Sequence, residues 1–221
     1  THDDVLATIR TAYAAGWRRV KVYFTIGLPT ETHDDVRAIP ALIKDMLDAT
    51  RGRIGLTASV ATFVPKAFTP FQWVGYADQD DLLAKRDLIL HDTPRRVKID
   101  FHRLETSYLE AVLARGDAAL SAVLQTAFEY GCRFDQWTDH LNMDAWRAAF
   151  AAHAIDPSTY LAPIPEATPL PWDVLDFGVS KAFLLREWQH AQAGAATPTC
   201  RAGACHACGV QRHWQCPAPT M

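Results

Sequence analysis

Four of the chain's five cysteines crowd into residues 200–216, spaced Cys200-x4-Cys205-x2-Cys208-x7-Cys216. A C-x-x-C step brings two thiolates onto one ion, an arrangement of zinc and iron–sulfur ligation rather than of a scattered disulfide framework. Metal–sulfur bonds of roughly 2.3 Å put the sulfurs of a tetrahedral site about 3.5–4 Å apart. Ala207 and Gly209 are small, and Gly203 can take the positive φ that such a knuckle often uses. Three readings stand side by side: an auxiliary iron–sulfur cluster, a structural zinc site, or free thiols in a frayed terminus. His206 and His213 lie among the cysteines. Cys132, in an aromatic helical stretch, reads as a buried core thiol.

The second stretch with chemical potential is Y-F-T-I-G-L-P-T-E-T (23–32), followed by Asp34 and Asp35. It joins an apolar, β-branched run to a capped helix, and in a parallel α/β barrel that position is the C-terminal rim, where ligands bind. Gly27 lets backbone approach a ligand, Pro29 stiffens the turn, and Glu31 sits where a helix N-terminus favours a carboxylate. The plainer reading is a tight strand–helix turn with a cap. H-R-L-E (102–105) and D-Q-W-T-D-H (135–140) carry acid/base residue types, but such runs are more often satisfied surface networks. Arg95, Arg96 and Lys98 form a small basic cluster that reads as a solvated face, or as phosphate contacts in a nucleic-acid-modifying enzyme.

The elements that must position these residues are legible from periodicity. Residues 3–15 read as a helix ended by Gly16, 20–26 as a strand, and the helix to about 49 as capped by Thr32 with Asp35 three residues on. Residues 54–64 form a second strand, apolar on both faces as in a covered parallel sheet. Helix, strand, helix, strand predicts that 20–26 and 54–64 are adjacent parallel strands joined by the 33–49 helix through a right-handed crossover. Beyond Pro65 the pattern predicts helices over 81–91, 105–115, 117–130, 142–153 and 179–193, one further strand at 97–102, and a proline-rich extended stretch over 156–173.

Composition excludes some classes. Of the 221 residues, 49% are hydrophobic and 21% charged, and the net charge of −3 offers no global basic field for a nucleic acid. No apolar run approaches the roughly 20 residues of a membrane helix. The opening T-H-D-D lacks the basic and apolar regions of a signal peptide, and with no initiator Met it reads as the inside of a longer open reading frame. A reducing cytoplasm is the expected setting.

I-G-L-P-T-E-T (26–32) resembles the G-x-P-x-E-T segment on the fifth barrel strand of radical S-adenosylmethionine (SAM) enzymes, in the subgroup that includes methylthiotransferases. V-A-T-F-V-P-K-A-F-T-P-F-Q-W (60–73), V-L-A-R-G-D (112–117), Y-G-C-R-F-D-Q-W (130–137), G-V-S-K-A-F-L-L-R-E (178–187) and C-R-x-G-x-C-x-x-C-G-V (200–210) resemble a narrower group of radical SAM proteins with an N-terminal cobalamin-binding domain. The resemblance implies an α/β fold: residues 1–71 as the C-terminal part, the last two strands, of a partial TIM-type βα barrel, 72–196 as a mainly helical extension, and 197–221 as a Cys-rich metal-binding tail. It implies SAM as cofactor, cleaved by a [4Fe–4S] cluster to a 5′-deoxyadenosyl radical, in a cobalamin-dependent methyl transfer or an RNA modification. Ile26, Gly27, Leu28, Pro29, Glu31, Thr62 and Val64 would line the nucleoside. The cluster-binding C-x-x-x-C-x-x-C does not occur in this sequence, so the resemblance places it, the missing N-terminal half and the cobalamin domain upstream of Thr1 and leaves the chain by itself inactive. The resembling pattern sets its fourth tail cysteine near Gln211; here it is Cys216, after R-H-W-Q, with His213 as the competing ligand. The alternative is a non-catalytic zinc-bearing module that binds RNA or a partner protein.

Overall fold

The computed structural model of the protein describes residues 1–137, 139–201 and 204–216. The chain divides into two units: Thr1–Phe63 with Ala77–Tyr108, and Val64–Tyr76 with the chain from Leu109 onward.

The first unit is built on a parallel sheet. Strands β1 (Arg19–Ile26), β2 (Gly55–Thr62) and β3 (Lys98–Phe101) lie in that order. β1 and β2 pair in parallel from Arg19↔Gly55 to Ile26↔Thr62, with helix α2 (His33–Ala49) between them in sequence. β3 extends the sheet in parallel from Thr57↔Lys98 to Val60↔Phe101. Helix α1 (His2–Ala14) opens the chain and α3 (Gln79–Asp92) precedes β3. The predicted cap of α2 is present: the Thr32 hydroxyl accepts the Asp35 N–H, and the Asp35 carboxylate accepts the Thr32 N–H. The same reciprocal box, Thr1 with Asp4, starts α1. Ile9 of α1, Ile43, Met46 and Leu47 of α2, and Leu56 and Ala58 of β2 form one buried cluster, against which Val20, Val22 and Phe24 of β1 pack.

The expected partial TIM-type barrel is not what forms. The sheet is open, with three strands among the described residues, and β1 and β3 are its edges. Closure of a βα barrel takes eight tilted strands with a fixed stagger. The burial of β1 shows the difference. Its alternate residues Arg19, Lys21, Tyr23 and Thr25 are exposed, so one face of the strand is packed and the other is not. The Lys21 ammonium instead stands 5.4 Å from the Tyr23 ring centre and 3.9 Å from the Asp100 carboxylate.

The second unit is helical. Helix α4 (Leu104–Arg115) leads into it, followed by α5 (Leu120–Glu129), α6 (Met143–Ala152) and α7 (Lys181–Gln192). Leu120, Val123 and Ala127 of α5, and Trp146, Ala149 and Phe150 of α6, are buried. Trp73, Leu170, Trp172 and Leu184 form a separate apolar cluster, where the Trp172 indole N–H donates to the Gln72 side-chain oxygen at 2.7 Å. Arg115, at the end of α4, is buried with 2% exposure. Its guanidinium donates to four backbone carbonyls, those of Tyr160 (2.6 Å), Gln72 (3.3 Å), Val74 (2.5 Å) and Ala162 (2.6 Å).

Candidate functional site

The G-L-P-T-E-T turn leaves the carboxyl end of β1, and its geometry is local. Gly27 has φ +82° and Thr30 φ +66°, which folds the chain back on itself. The Gly27 N–H donates to the Glu31 carboxylate at 2.9 Å. Glu31 is neutralised by Lys85 of α3, whose ammonium lies 3.0 Å from it and 2.8 Å from Asp81. Lys85 and Glu31 side chains are 5% and 7% exposed, so this is a buried ion pair, with the half-exposed Asp81 as second anion. Burial opposes the charge on Lys85, but hydrogen bonds and the charges of Asp81 and Glu31 outweigh it and raise its pKa above the ordinary lysine value.

Of the residues read from the sequence as a nucleoside rim, the structure brings Ile26, Gly27, Glu31 and Thr62 together. Ile26 and Thr62 are register partners at the carboxyl ends of adjacent strands, both buried, and the Phe63 N–H donates to the Ile26 carbonyl at 2.8 Å. Leu28 is exposed and Pro29 half-buried. Val64 belongs to the second unit. Packing by itself also demands glycine at position 27: a Cβ there would stand 2.9 Å from Leu82 Cδ2 and 3.2 Å from Ala77 Cβ. Its N–H is taken by Glu31. The Gly27 N–H is thus spent inside the turn, and Leu28 offers exposed apolar surface beside it. Gly27→Ala is expected to lower stability by about 1–3 kcal/mol, through the left-handed backbone and the crowding of Leu82, as read by urea unfolding. A loss under roughly 0.5 kcal/mol, the size of an ordinary surface change, would show that α3 yields to the added methyl.

The other candidates read from the sequence are engaged elsewhere. Lys98 pairs with Asp100 at 2.8 Å, and Arg96 donates to the Gly52 carbonyl. In 102–105, Arg103 and Glu105 face each other at 3.6 Å and His102 is exposed. In 135–140 the His140 ring meets Phe134 edge-on, and the buried Asp135 Oδ1 has no hydrogen-bond partner. Thr138 of that run, and Gly203 of the knuckle, lie outside the described residues. Cys132 is buried, and that burial pushes its thiol pKa up.

The tail docks on the N-terminal end of α7. The Ser180 N–H donates to the Cys208 carbonyl at 2.8 Å, and the Arg186 guanidinium to the His206 carbonyl at 2.8 Å. Trp214 covers Gly178 so closely that a Cβ there would stand 2.2 Å from the indole ring. His213 is held by Asp176 at 2.8 Å, while His206 bonds the Pro198 carbonyl at 2.9 Å. The Gly178 N–H holds the Asp176 carboxyl below its ordinary pKa. Cys200, Cys205, Cys208 and Cys216 all line one cavity of about 480 Å³, with Val179 and Phe183 behind them. Among the described residues, no three His, Cys, Asp or Glu side chains converge closely enough to hold an ion as they stand.

Comparison with known proteins adds one relative. The chain is 27% identical over 124 residues to an uncharacterised protein of Methanocaldococcus jannaschii. The match covers 55% of this chain and 26% of that protein, so the chain spans about a quarter of the relative's length. No family model matches, and no solved structure matches. No helix among the described residues is long and apolar enough to cross a membrane.

Two residues at the heart of these sites were not singled out from the sequence. Lys85 lies on the helix predicted over 81–91, and Asp81 four residues before it is the spacing of a helical ion pair, but no local signal names Glu31 as its buried partner. Arg115 lay inside V-L-A-R-G-D, and no local signal reports that a guanidinium will meet carbonyls more than forty residues away in either direction.

Proposed function

We propose that this chain is the nucleoside-facing part of a cytoplasmic radical SAM enzyme, acting in a cobalamin-dependent methyl transfer or an RNA modification. The observation that carries this reading is the junction of two separate sequence segments: Ile26 with the G-L-P-T-E-T turn, and Thr62, meet at the carboxyl ends of adjacent parallel strands. In open α/β sheets, too, ligands bind outside the carboxyl ends of the strands. The residues present suit an adenosine in part. Leu28 offers exposed apolar surface beside a turn that the buried Glu31–Lys85 pair keeps rigid, which fits a flat apolar slot.

No C-x-x-x-C-x-x-C occurs in the chain, so its residues do not hold the catalytic cluster. That cluster, when bound on another part of the polypeptide, supplies the electron that cleaves SAM. Under this reading, this chain's contribution is to seat and orient the nucleoside.

A longer polypeptide that joins this chain to a C-x-x-x-C-x-x-C segment, reconstituted anaerobically with iron and sulfide, is expected to release 5′-deoxyadenosine from SAM on reduction. Leu28→Asp should raise the SAM concentration needed by about tenfold, since one misplaced charge against an apolar face costs on the order of 1.4 kcal/mol. No 5′-deoxyadenosine from that polypeptide under reducing conditions would overturn the reading. A second reading, a non-catalytic zinc-bearing module for RNA or a partner protein, is favoured by one observation, the four tail cysteines on a single cavity.

A further inference from the structure

We propose that Cys200, Cys205, Cys208 and Cys216 hold one structural zinc ion, and that this ion orders the tail against α7. The inference does not depend on the SAM reading. It starts from what the tail lacks. None of the described residues of 200–216 is buried; every one is exposed or half-exposed. A segment without a core of its own cannot offset its ordering entropy by apolar burial. Yet it follows a defined path, with its carbonyls bonded by Ser180 and Arg186 and Trp214 laid on Gly178. A few exposed hydrogen bonds of about 1 kcal/mol each are weak support for such a path. A bound metal is the common means by which small coreless segments are held, because its binding energy becomes folding energy.

The backbone between the two central cysteines has the form that ligation needs. The Ala207 N–H donates to Cys205 Sγ at 3.4 Å. Ala207 takes φ +51° and Gly209 φ +104°, which turn the chain tightly between Cys205 and Cys208 and again after it. Gly209 has no room for a side chain: a Cβ would stand 3.0 Å from both the Gly178 carbonyl oxygen and the Ser180 nitrogen. The knuckle is thus seated against the start of α7, and Cys200 and Cys216 line the same cavity.

Two competing assignments are weakened by the same geometry. Cys216 lines the cavity with the other three cysteines and His213 is not among its lining residues, so Cys216 is the better fourth ligand. Cys205 is exposed. An ion with no redox chemistry tolerates that position, whereas exposure shifts the potential of an iron–sulfur cluster. Because the sulfurs share a cavity without converging, zinc should draw Cys200 and Cys216 onto the Cys205–Cys208 knuckle and tighten the tail.

The test uses the 221-residue chain purified without chelator. Elemental analysis is expected to find about one zinc per chain, as for a single tetrahedral site. Cobalt(II) added to the metal-stripped chain should show the spectrum of a tetrahedral tetrathiolate. C200S, C205S, C208S and C216S should each weaken zinc binding by at least roughly 100-fold, the upper end of what loss of an outer partner alone causes. C132A and H213A should keep it. Hydrogen exchange over 200–216 should slow on adding zinc. Iron with sulfide in place of zinc, no metal at all, or zinc lost in H213A but kept in C216S would overturn the proposal. Should the serine variants fail to fold, the cobalt spectrum of the unaltered chain still decides.

Discussion

Arg115→Met is expected to destabilise the protein by about 4 kcal/mol or more, the largest effect of any substitution argued from this structure. The reason is the imbalance it leaves. Arg115 is almost wholly buried, and burial pushes its pKa down, yet no carboxylate compensates it in the hydrogen bonds described. Its charge is met by four carbonyl dipoles instead, drawn from two segments, 72–74 and 160–162. Each hydrogen bond to a charged group contributes about 1.5–3 kcal/mol, and a buried carbonyl stripped of its donor loses its partner outright. Methionine fills the volume and satisfies none of them. Lysine keeps the charge but not the planar fork, so Arg115→Lys should recover only part of the loss. Urea unfolding of the three proteins measures this. A loss below about 1 kcal/mol for the methionine variant, in the range of an ordinary surface contact, would mean that the carbonyls find other donors and that the arginine is not a structural clasp.

Lys85→Met should destabilise by about 3 kcal/mol, because it leaves the Glu31 carboxylate buried with the Gly27 N–H as its remaining partner among the bonds described. Glu31→Gln should cost about 2 kcal/mol: Asp81 still neutralises Lys85, and the amide oxygen still accepts from Gly27. The double variant should lose much less than the sum, since neither charge is then left unpaired. Additivity within about 0.5 kcal/mol would show that the two side chains are not coupled. The pair also sets a pH dependence. The folded pKa of Lys85 is raised, so its stabilisation is complete below the ordinary lysine value of about 10.4 and is lost as pH climbs through the higher folded value. Stability measured from neutral to strongly alkaline pH should therefore fall more steeply in the unaltered chain than in Lys85→Met.

The segments that carry the family resemblance turn out to hold much of the scaffold. Arg115 of V-L-A-R-G-D clasps two distant segments, 72–74 and 160–162. Gly178, Ser180 and Arg186 of G-V-S-K-A-F-L-L-R-E receive the tail. Glu31 of G-L-P-T-E-T locks its own turn. A motif read as ligand-binding can thus be demanded by packing alone, and Gly27 is the clearest case, since Leu82 and Ala77 exclude a side chain there whatever binds outside.

The sequence alone determined what depends on neighbours within a few residues. Periodicity located every helix and strand described above within about three residues. The Thr32–Asp35 cap was legible because both partners sit in one helical turn, and the parallel pairing of β1 with β2 because a helix of that length leaves little other choice. Only the tertiary structure decided that the sheet stays open. An alternating strand such as β1 and the near-continuous apolar run of β2 are compatible with barrel or open sheet alike, and what separates them is whether a covering element lies on Lys21, Tyr23 and Thr25, which is a contact between distant parts of a chain. The same holds for the Glu31–Lys85 pair, the Arg115 carbonyls and the commitment of His213 to Asp176. Spacing showed which residues could bind a metal or a ligand. Which of them were already spent on holding the fold was set by long-range hydrogen bonds and ion pairs, whose partners no local pattern names.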